Sequence, residues 1–238
     1  PEHAWVDSNA EEMAAKADAA VVVVGYRPES ETEGWDRTFQ LHPGQNELIK
    51  RIAAKNKNTI VVVISGGGVD MQPWLDQVPA VLEAWYPGQE GGTALAEIVS
   101  GDVNPSGHLA ATFEKRWEDN PAYNSYYPEQ GSKTRVVYKE GIFVGYRGYE
   151  HNNVKPQFPF GYGLSYTTFK YENLKVTGGK TLTATFDVVN TGQRDGTDVA
   201  QVYLTSLAGS PDLRLVGFSP ATLAPGERKS ITVTADRR

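Results

Sequence analysis

The clearest structural signal in the N-terminal half of the chain is the apolar run "AAVVVVGY" at residues 19–26. A continuous run of β-branched residues without alternation is typical of a strand that is buried on both faces, as in parallel sheets. A second run, "TIVVVIS" at 59–65, ends in a triple-glycine turn at 66–68. Between the two runs, "PGQNELIKRIAAK" at 43–55 has apolar residues at helical spacing. Two buried strands joined through a helix predict a parallel sheet.

The neighbouring segments extend this α/β pattern. "SNAEEMAAKA" at 8–17 predicts a helix with Ser8 as its N-cap and acidic residues in its first turn. "AVLEAWY" at 80–86 predicts a third strand, "EGGTALAEIVSG" at 90–101 a helix, and "GHLAATF" at 107–113 a last short strand. We therefore predict an open, mostly parallel α/β sandwich domain over residues 1–120.

From about residue 166 the apolar period drops to two. Four alternating segments are separated by turn clusters: "FKYENLKVTG" at 169–178, "KTLTATFDVVNTG" at 180–192, "DVAQVYLTS" at 198–206 and "RKSITVTA" at 228–235. This pattern predicts a β-sandwich of the immunoglobulin or fibronectin type III kind over 166–238, truncated because it has too few strands to close comfortably. The whole chain is therefore predicted to be α/β plus all-β.

Residues 121–165 are too aromatic for a disordered linker, so we predict an ordered connector. Its tyrosines either line an active-site rim or make aromatic contacts between the domains; the latter is the safer interpretation for Tyr123, Tyr126, Tyr127 and Tyr138.

Bulk composition excludes several classes of function. A net charge of −6 argues against a nucleic-acid partner, and no apolar run approaches the roughly 20 residues of a membrane span. The absence of cysteine excludes disulfides and thiolate metal sites and leaves the compartment open, with the periplasm or the cell exterior favoured over the cytoplasm. The triple glycine lacks the spacing of nucleotide-binding motifs. We expect no cofactor and no metal, and interpret the scattered histidines as surface or structural residues: His3, His42, His108 and His151.

The loop "ESETEGWDR", residues 29–37, carries four acids directly after the first buried strand. In open α/β sheets ligands bind at the carboxyl ends of the strands, which is where this loop lies. It could be a solvated turn, a calcium site or part of a catalytic apparatus. The spacing of an EF-hand loop is missing. From the residues alone the solvated turn is favoured, and the choice stays open.

Longer motifs carry a resemblance to a known family. "VVVVGYRPESETEGWDRTFQLHPGQNELI" and the segment "VVVISGGGVDMQPWLDQVPAVLEAWYPGQEGGTALAEIVSGDVNPSGHLAATF" resemble the second domain of three-domain glycoside hydrolase family 3 enzymes. "EGIFVGYRGYE" and "FPFGYGLSYTTFKYENL" resemble the lead into the third domain, and "VVNTGQRDGTDVAQVYL" resembles that fibronectin type III-like domain. The order of the motifs makes the resemblance specific.

The resemblance implies a retaining glycosidase whose nucleophile is an aspartate on a preceding (β/α)8 barrel. The general acid/base is then the glutamate before the loop glycine, Glu33, with Glu31 as runner-up and Glu29 as third candidate. Such chemistry needs two carboxyls about 5–5.5 Å apart, one protonated and one ionised. Trp35 is expected either to form a wall or stacking face on the aglycone side or to pack in the protein. Asp36 and Arg37 are expected to pair and hold the loop's shape.

We therefore expect the C-terminal portion of an exo-acting β-glucosidase that cleaves non-reducing terminal β-D-glucosyl residues from an oligosaccharide or β-glucoside. The missing N-terminal barrel is the expected partner, and this chain alone should be inactive. The alternatives are a β-xylosidase or α-L-arabinofuranosidase of the same family, or a non-catalytic carbohydrate-binding or scaffold module. No nucleic acid and no membrane are expected as partners, and a homo-oligomer stays open.

Overall fold

The structure is a computed structural model that describes residues 8–34, 36–128, 132, 134–179, 181–207 and 209–236. The chain divides into two compact units. The N-terminal unit consists of the residues up to Gly92 together with Phe113–Tyr123, and the C-terminal unit of Thr93–Thr112 together with the residues from Asn124 onward. The predicted boundaries at 120 and 165 stay predictions; in the structure residues 93–112 group with the sandwich half of the chain.

The N-terminal unit is built around a three-stranded parallel sheet in the order β1-β2-β3. Its elements are α1 (Ser8–Lys16), β1 (Ala20–Gly25), α2 (Gln45–Lys55), β2 (Thr59–Ile64) and β3 (Ala80–Glu83). Helix α3 (Gly91–Ser100) begins in this unit and continues into the other. The predicted helix–strand alternation is thus confirmed. β3 is shorter than predicted because Trp85, at φ 52°, leaves the extended region.

Burial differs between the two apolar runs. In β2, Val61, Val62 and Val63 are all buried, as predicted for a strand covered on both faces. In β1, Val21 and Val23 are 49% and 54% exposed, so the same prediction is wrong there. Val21 and Val23 share one face of β1 and Val22 and Val24 the other, so within the described part of the chain one face of this strand is buried and the other is largely open.

The segment 107–113 forms no strand, contrary to prediction. Its Leu109 N–H donates to the carbonyl of Tyr162, and the Leu109 carbonyl accepts from the N–H of Gly161, both at 2.8 Å. Two bonds to one loop do not make a ladder, so the segment stays irregular.

The C-terminal unit contains the predicted β-sandwich. One sheet is β4-β5-β8 and the other β6-β7, all antiparallel. The elements are α4 (Tyr146–His151), β4 (Phe169–Thr177), β5 (Thr181–Asn190), β6 (Gly196–Leu207), β7 (Ser210–Leu223) and β8 (Arg228–Asp236). The core between the sheets includes Phe186, Val188, Leu223 and Ile231.

Candidate active site

Three segments meet at the carboxyl end of the parallel sheet. They are the loop between β1 and α2, residues 26–44 (the acidic loop), the turn after β2, residues 65–68 (the glycine turn), and the residues that follow β3. In parallel α/β sheets this end is where ligands bind. The acidic loop therefore lies where its position in the sequence predicts it.

The base of the acidic loop is closed by polar side chains. The Tyr26 hydroxyl donates to the carbonyl of Thr38 at 2.9 Å and accepts from Arg37 at 3.1 Å. The Ser30 hydroxyl lies 2.7 Å from Nε2 of His42, whose ring is 5.6 Å from that of Tyr26. His42 is therefore a structural residue of the loop.

Glu31 anchors the loop to the glycine turn. Its Oε1 lies 2.9 Å from Arg37 Nε and accepts the N–H of Gly66 at 3.2 Å, while its Oε2 accepts the hydroxyl of Tyr86. Partial burial of the phenol is the larger cause, and the contact with Glu31 the second, of a rise in the pKa of Tyr86 to about 12. With three donors from three segments, the Glu31 carboxylate is a structural acceptor.

Arg37 is the second link between loop and turn. Its Nη2 donates to the carbonyl of Gly68 at 2.6 Å, its Nη1 to the carbonyl of Thr38 at 3.2 Å, and its guanidinium lies 4.8 Å from the centre of the Tyr26 ring. The sequence paired Arg37 with Asp36, whereas the structure brings Arg37 together with Glu31. The loop-shaping role of Asp36, whose side chain is exposed, stays a prediction.

Glu33 contrasts with Glu31. Its side chain is exposed, and within the described part of the chain its carboxylate has no hydrogen-bond or ion-pair partner. It lies on a short turn in which the hydroxyl of Thr32 accepts the N–H of Gly34 at 2.9 Å. Glu29 is exposed as well. Trp35 lies outside the described residues, so its predicted role, a wall or stacking face on the aglycone side or packing in the protein, stays a prediction.

Glu83 is a residue of this region that sequence reasoning missed. It ends β3, its carboxylate accepts the Trp85 N–H at 3.1 Å, and the Ser65 hydroxyl lies 3.3 Å away. Burial raises the pKa of Glu83 to about 7, against the opposing effect of these donors and of Arg37. The signal in the sequence was an acid at the carboxyl end of an otherwise apolar strand.

The Glu31 carboxylate of this site is occupied by hydrogen-bond donors of the protein itself. The partners of Glu31 are a guanidinium, a phenol and a backbone N–H, which leaves that carboxylate little room for a cation. Among the described residues no group of three or more His, Asp or Glu side chains is placed to hold a metal ion. The described helices include none that is long and apolar enough to span a bilayer.

The connector tyrosines Tyr123, Tyr126, Tyr127 and Tyr138 are exposed in this chain, whereas Tyr149 is buried. The rings of Tyr126 and Tyr127 pack edge to face at 5.0 Å, and that of Tyr123 packs on Trp117 at 6.3 Å. Both interpretations, an active-site rim and contacts between domains, stay predictions.

Comparison with known proteins places the chain among glycosidases. The sequence profile of the Glycosyl hydrolase family 3 C-terminal domain matches residues 4–146. Beta-glucosidase B of Emericella nidulans is 44% identical over 248 aligned residues, which cover 97% of this chain and 29% of that protein. Thermostable beta-glucosidase B of Acetivibrio thermocellus is 41% identical over 240 residues, covering 97% and 31%.

A solved structure confirms the fold. The crystal structure of beta-glucosidase from Kluyveromyces marxianus in complex with glucose matches with a TM-score of 0.88 and 42% identity, over 96% of this chain and 27% of that one. The chain therefore spans between 27% and 31% of the length of these relatives.

Proposed function

The chain belongs to glycosyl hydrolase family 3, and we propose that it is the C-terminal part of a retaining, exo-acting β-glucosidase in which Glu33 is the general acid/base. The nucleophile, an aspartate, would lie on a (β/α)8 barrel domain elsewhere in the complete polypeptide. The substrate would be a β-glucoside or an oligosaccharide with a non-reducing terminal β-D-glucosyl residue. The names of the relatives support glucose over xylose or arabinose.

The contrast between Glu31 and Glu33 carries the proposal. An acid/base must give up and recover a proton at a substrate that lies outside this chain. Glu31 accepts from three donors and could reach outward only by breaking those contacts. Glu33 is exposed on a loop that those same contacts hold in place. The contacts of Glu31 thus hold in place the loop on which Glu33 is exposed.

The chemistry follows two steps. Protonated Glu33 gives its proton to the glycosidic oxygen while the aspartate carboxylate attacks the anomeric carbon, so the bond to the aglycone breaks and a glycosyl ester forms. The Glu33 carboxylate then takes a proton from water, whose oxygen attacks the anomeric carbon and releases the aspartate. Because Glu33 is exposed in this chain, the walls that exclude water from it would come from the barrel domain.

The test uses Glu33→Gln in the complete enzyme, with Glu29→Gln as the matched control because Glu29 is an exposed acid of the same loop. We expect Glu33→Gln to lower kcat/KM for an alkyl β-glucoside by about 10²–10⁴-fold, and far less for an aryl glucoside with an activated leaving group. Glu29→Gln should stay within about twofold of the wild type, as expected for a residue outside the reaction. Equal behaviour of the two variants would refute the assignment.

A second measurement separates catalysis from a scaffold role. Azide added to Glu33→Ala should restore turnover of an activated substrate and yield a β-glucosyl azide, because the small anion intercepts the glycosyl intermediate. A scaffold residue gives no such product. The 238 residues alone should not hydrolyse an aryl β-glucoside, and turnover by the purified chain would contradict the proposal.

A further inference from the structure

The glycine turn is held by hydrogen bonds at each of its three glycines. Gly66 donates to Glu31 and Gly68 accepts from Arg37, so these two residues attach the turn to the acidic loop. The carbonyl of Gly67 lies 2.7 Å from the hydroxyl of Ser65, which is fully buried. The position of the acidic loop therefore depends on the geometry of this turn.

Ser65 has two acceptors and one proton. Besides the Gly67 carbonyl, its hydroxyl faces the carboxyl of Glu83, with Oε1 at 3.3 Å and Oε2 at 3.4 Å. A hydroxyl can donate only one hydrogen bond at a time, although it can also accept. Which group receives the Ser65 proton must therefore depend on whether Glu83 can donate one.

We propose that Glu83 is a positioning residue that sets the glycine turn through Ser65, and thereby the acidic loop. When Glu83 is protonated, its carboxyl donates to Ser65 and the Ser65 proton goes to the Gly67 carbonyl. When Glu83 loses its proton, the Ser65 hydroxyl turns to the carboxylate and the Gly67 carbonyl loses its donor. The effect on catalysis rests on the proposed function of Glu33; the effect on the turn does not.

The surroundings of Glu83 place this change near neutral pH. Burial raises the pKa of Glu83 to about 7, while the Trp85 N–H, Ser65 and the Arg37 guanidinium favour the ionised form. The other titratable groups that contact the glycine turn are Glu31, Tyr86 and Glu114, whose Oε2 is close to Gly68.

The first arm of the test measures the turn in the 238-residue chain. The side-chain carboxyl of Glu83 and the amides of the three glycines are followed by NMR between about pH 5 and 9, a range that brackets the transition. We expect one transition near pH 7, shared by all four groups and lost from the glycine amides in Glu83→Gln. In Ser65→Ala the Glu83 carboxyl should still titrate, but the amide of Gly68, which shares a peptide group with the Gly67 carbonyl, should no longer follow it. Glycine amides that do not titrate with Glu83 in the wild type would overturn the proposal.

The second arm measures catalysis in the complete enzyme. Glutamine donates to Ser65 at every pH, so Glu83→Gln imitates the protonated state and should flatten the alkaline side of the kcat profile. When the pH rises from about 6.5 to 8.5, the fold decrease in kcat should be about three times smaller in the variant than in the wild type. A merely structural residue would lower kcat by the same factor at every pH, and that result would refute positioning. Failure of Glu33 in its own test would leave the first arm intact, so the two proposals fail separately.

Discussion

The Arg37–Glu31 and Arg228–Glu172 ion pairs join the same kinds of side chain but do different work. Arg37 and Glu31 are 18% and 17% exposed and connect the acidic loop to a turn of another segment. Arg228 is half exposed and bridges Glu172 and Asp187 on a sheet that backbone ladders already hold. Water screens the charges of the Arg228–Glu172 pair, whereas the side chains of Arg37 and Glu31 attach the acidic loop to the glycine turn. The contribution of an ion pair therefore depends on which other contacts hold the same segments together.

The largest expected effect comes from removing Arg37. Arg37→Ala leaves Glu31 partly buried without its cation and detaches the loop from Gly68, so Glu33 loses its position. We expect kcat of the complete enzyme to fall about 100-fold, as small misplacements of reacting groups do. The N-terminal unit should lose about 3 kcal/mol of unfolding free energy. All five tryptophans precede residue 124, so their fluorescence in urea reports on this unit alone.

Arg37→Lys sharpens this test. Lysine keeps the charge but cannot reach Glu31, Gly68 and Tyr26 with one planar group. We expect the variant to retain most of the stability and still lose about tenfold in kcat, because the geometry of the loop depends on the several directed hydrogen bonds of the planar guanidinium group. If Arg37→Lys behaves like the wild type, the positive charge alone holds the loop and the planar guanidinium group is dispensable.

The next effect concerns pH and separates Glu83 from Glu172. Burial raises the pKa of Glu83 from 4.5 to about 7, so between these values the folded unit binds a proton that the unfolded chain does not. Its unfolding free energy should therefore fall as pH rises through this window, by about 2–3 kcal/mol. Urea titrations of tryptophan fluorescence at about pH 5 and pH 8 measure the difference, and Glu83→Gln should remove it.

Glu172 provides the control with the opposite sign. Hydrogen bonds from Lys170 and Arg228 lower its pKa, so any stability it contributes is present above pH 4.5 and lost on acidification below that value. Between about pH 5 and 8, Glu172→Gln should leave the pH dependence of the tryptophan signal unchanged. A loss of that dependence in Glu172→Gln would show that Glu83 is not its source.

The sequence predicted the fold where local patterns decide it. Helical spacing over 43–55 and period two after residue 166 correspond to α2 and the sandwich strands. It could not predict the exposure of Val21 and Val23, because an apolar run has the same pattern whether or not the chain covers both faces of its strand. It did not predict β7, where Pro211, Gly217 and Pro220 interrupt the strand pattern.

The candidate site was predictable only in part, for a related reason. The motif directs attention to Glu33 and Glu31, but the difference between them comes from Gly66 and Tyr86, which are 35 and 55 residues away from Glu31 in the chain. The raised pKa of Glu83 likewise depends on burial that forms only in the folded unit. Local pattern can find a group of acids; tertiary contacts decide which of them is anchored.

We expect the smallest effect from the removal of the Arg228 side chain, which is the counterpart of Arg37 in the exposed ion pair. Arg228→Ala removes contacts with Glu172 and Asp187 but no ladder bond between β5 and β8. Activity of the complete enzyme should not change, and the far-UV thermal midpoint should shift only slightly, with the shift vanishing at about 1 M salt because exposed charges are screened there. If instead Arg228→Ala lowered kcat as strongly as Arg37→Ala, ion pairing of any kind would support the enzyme. The attachment of the acidic loop to the glycine turn would then not be what distinguishes Arg37.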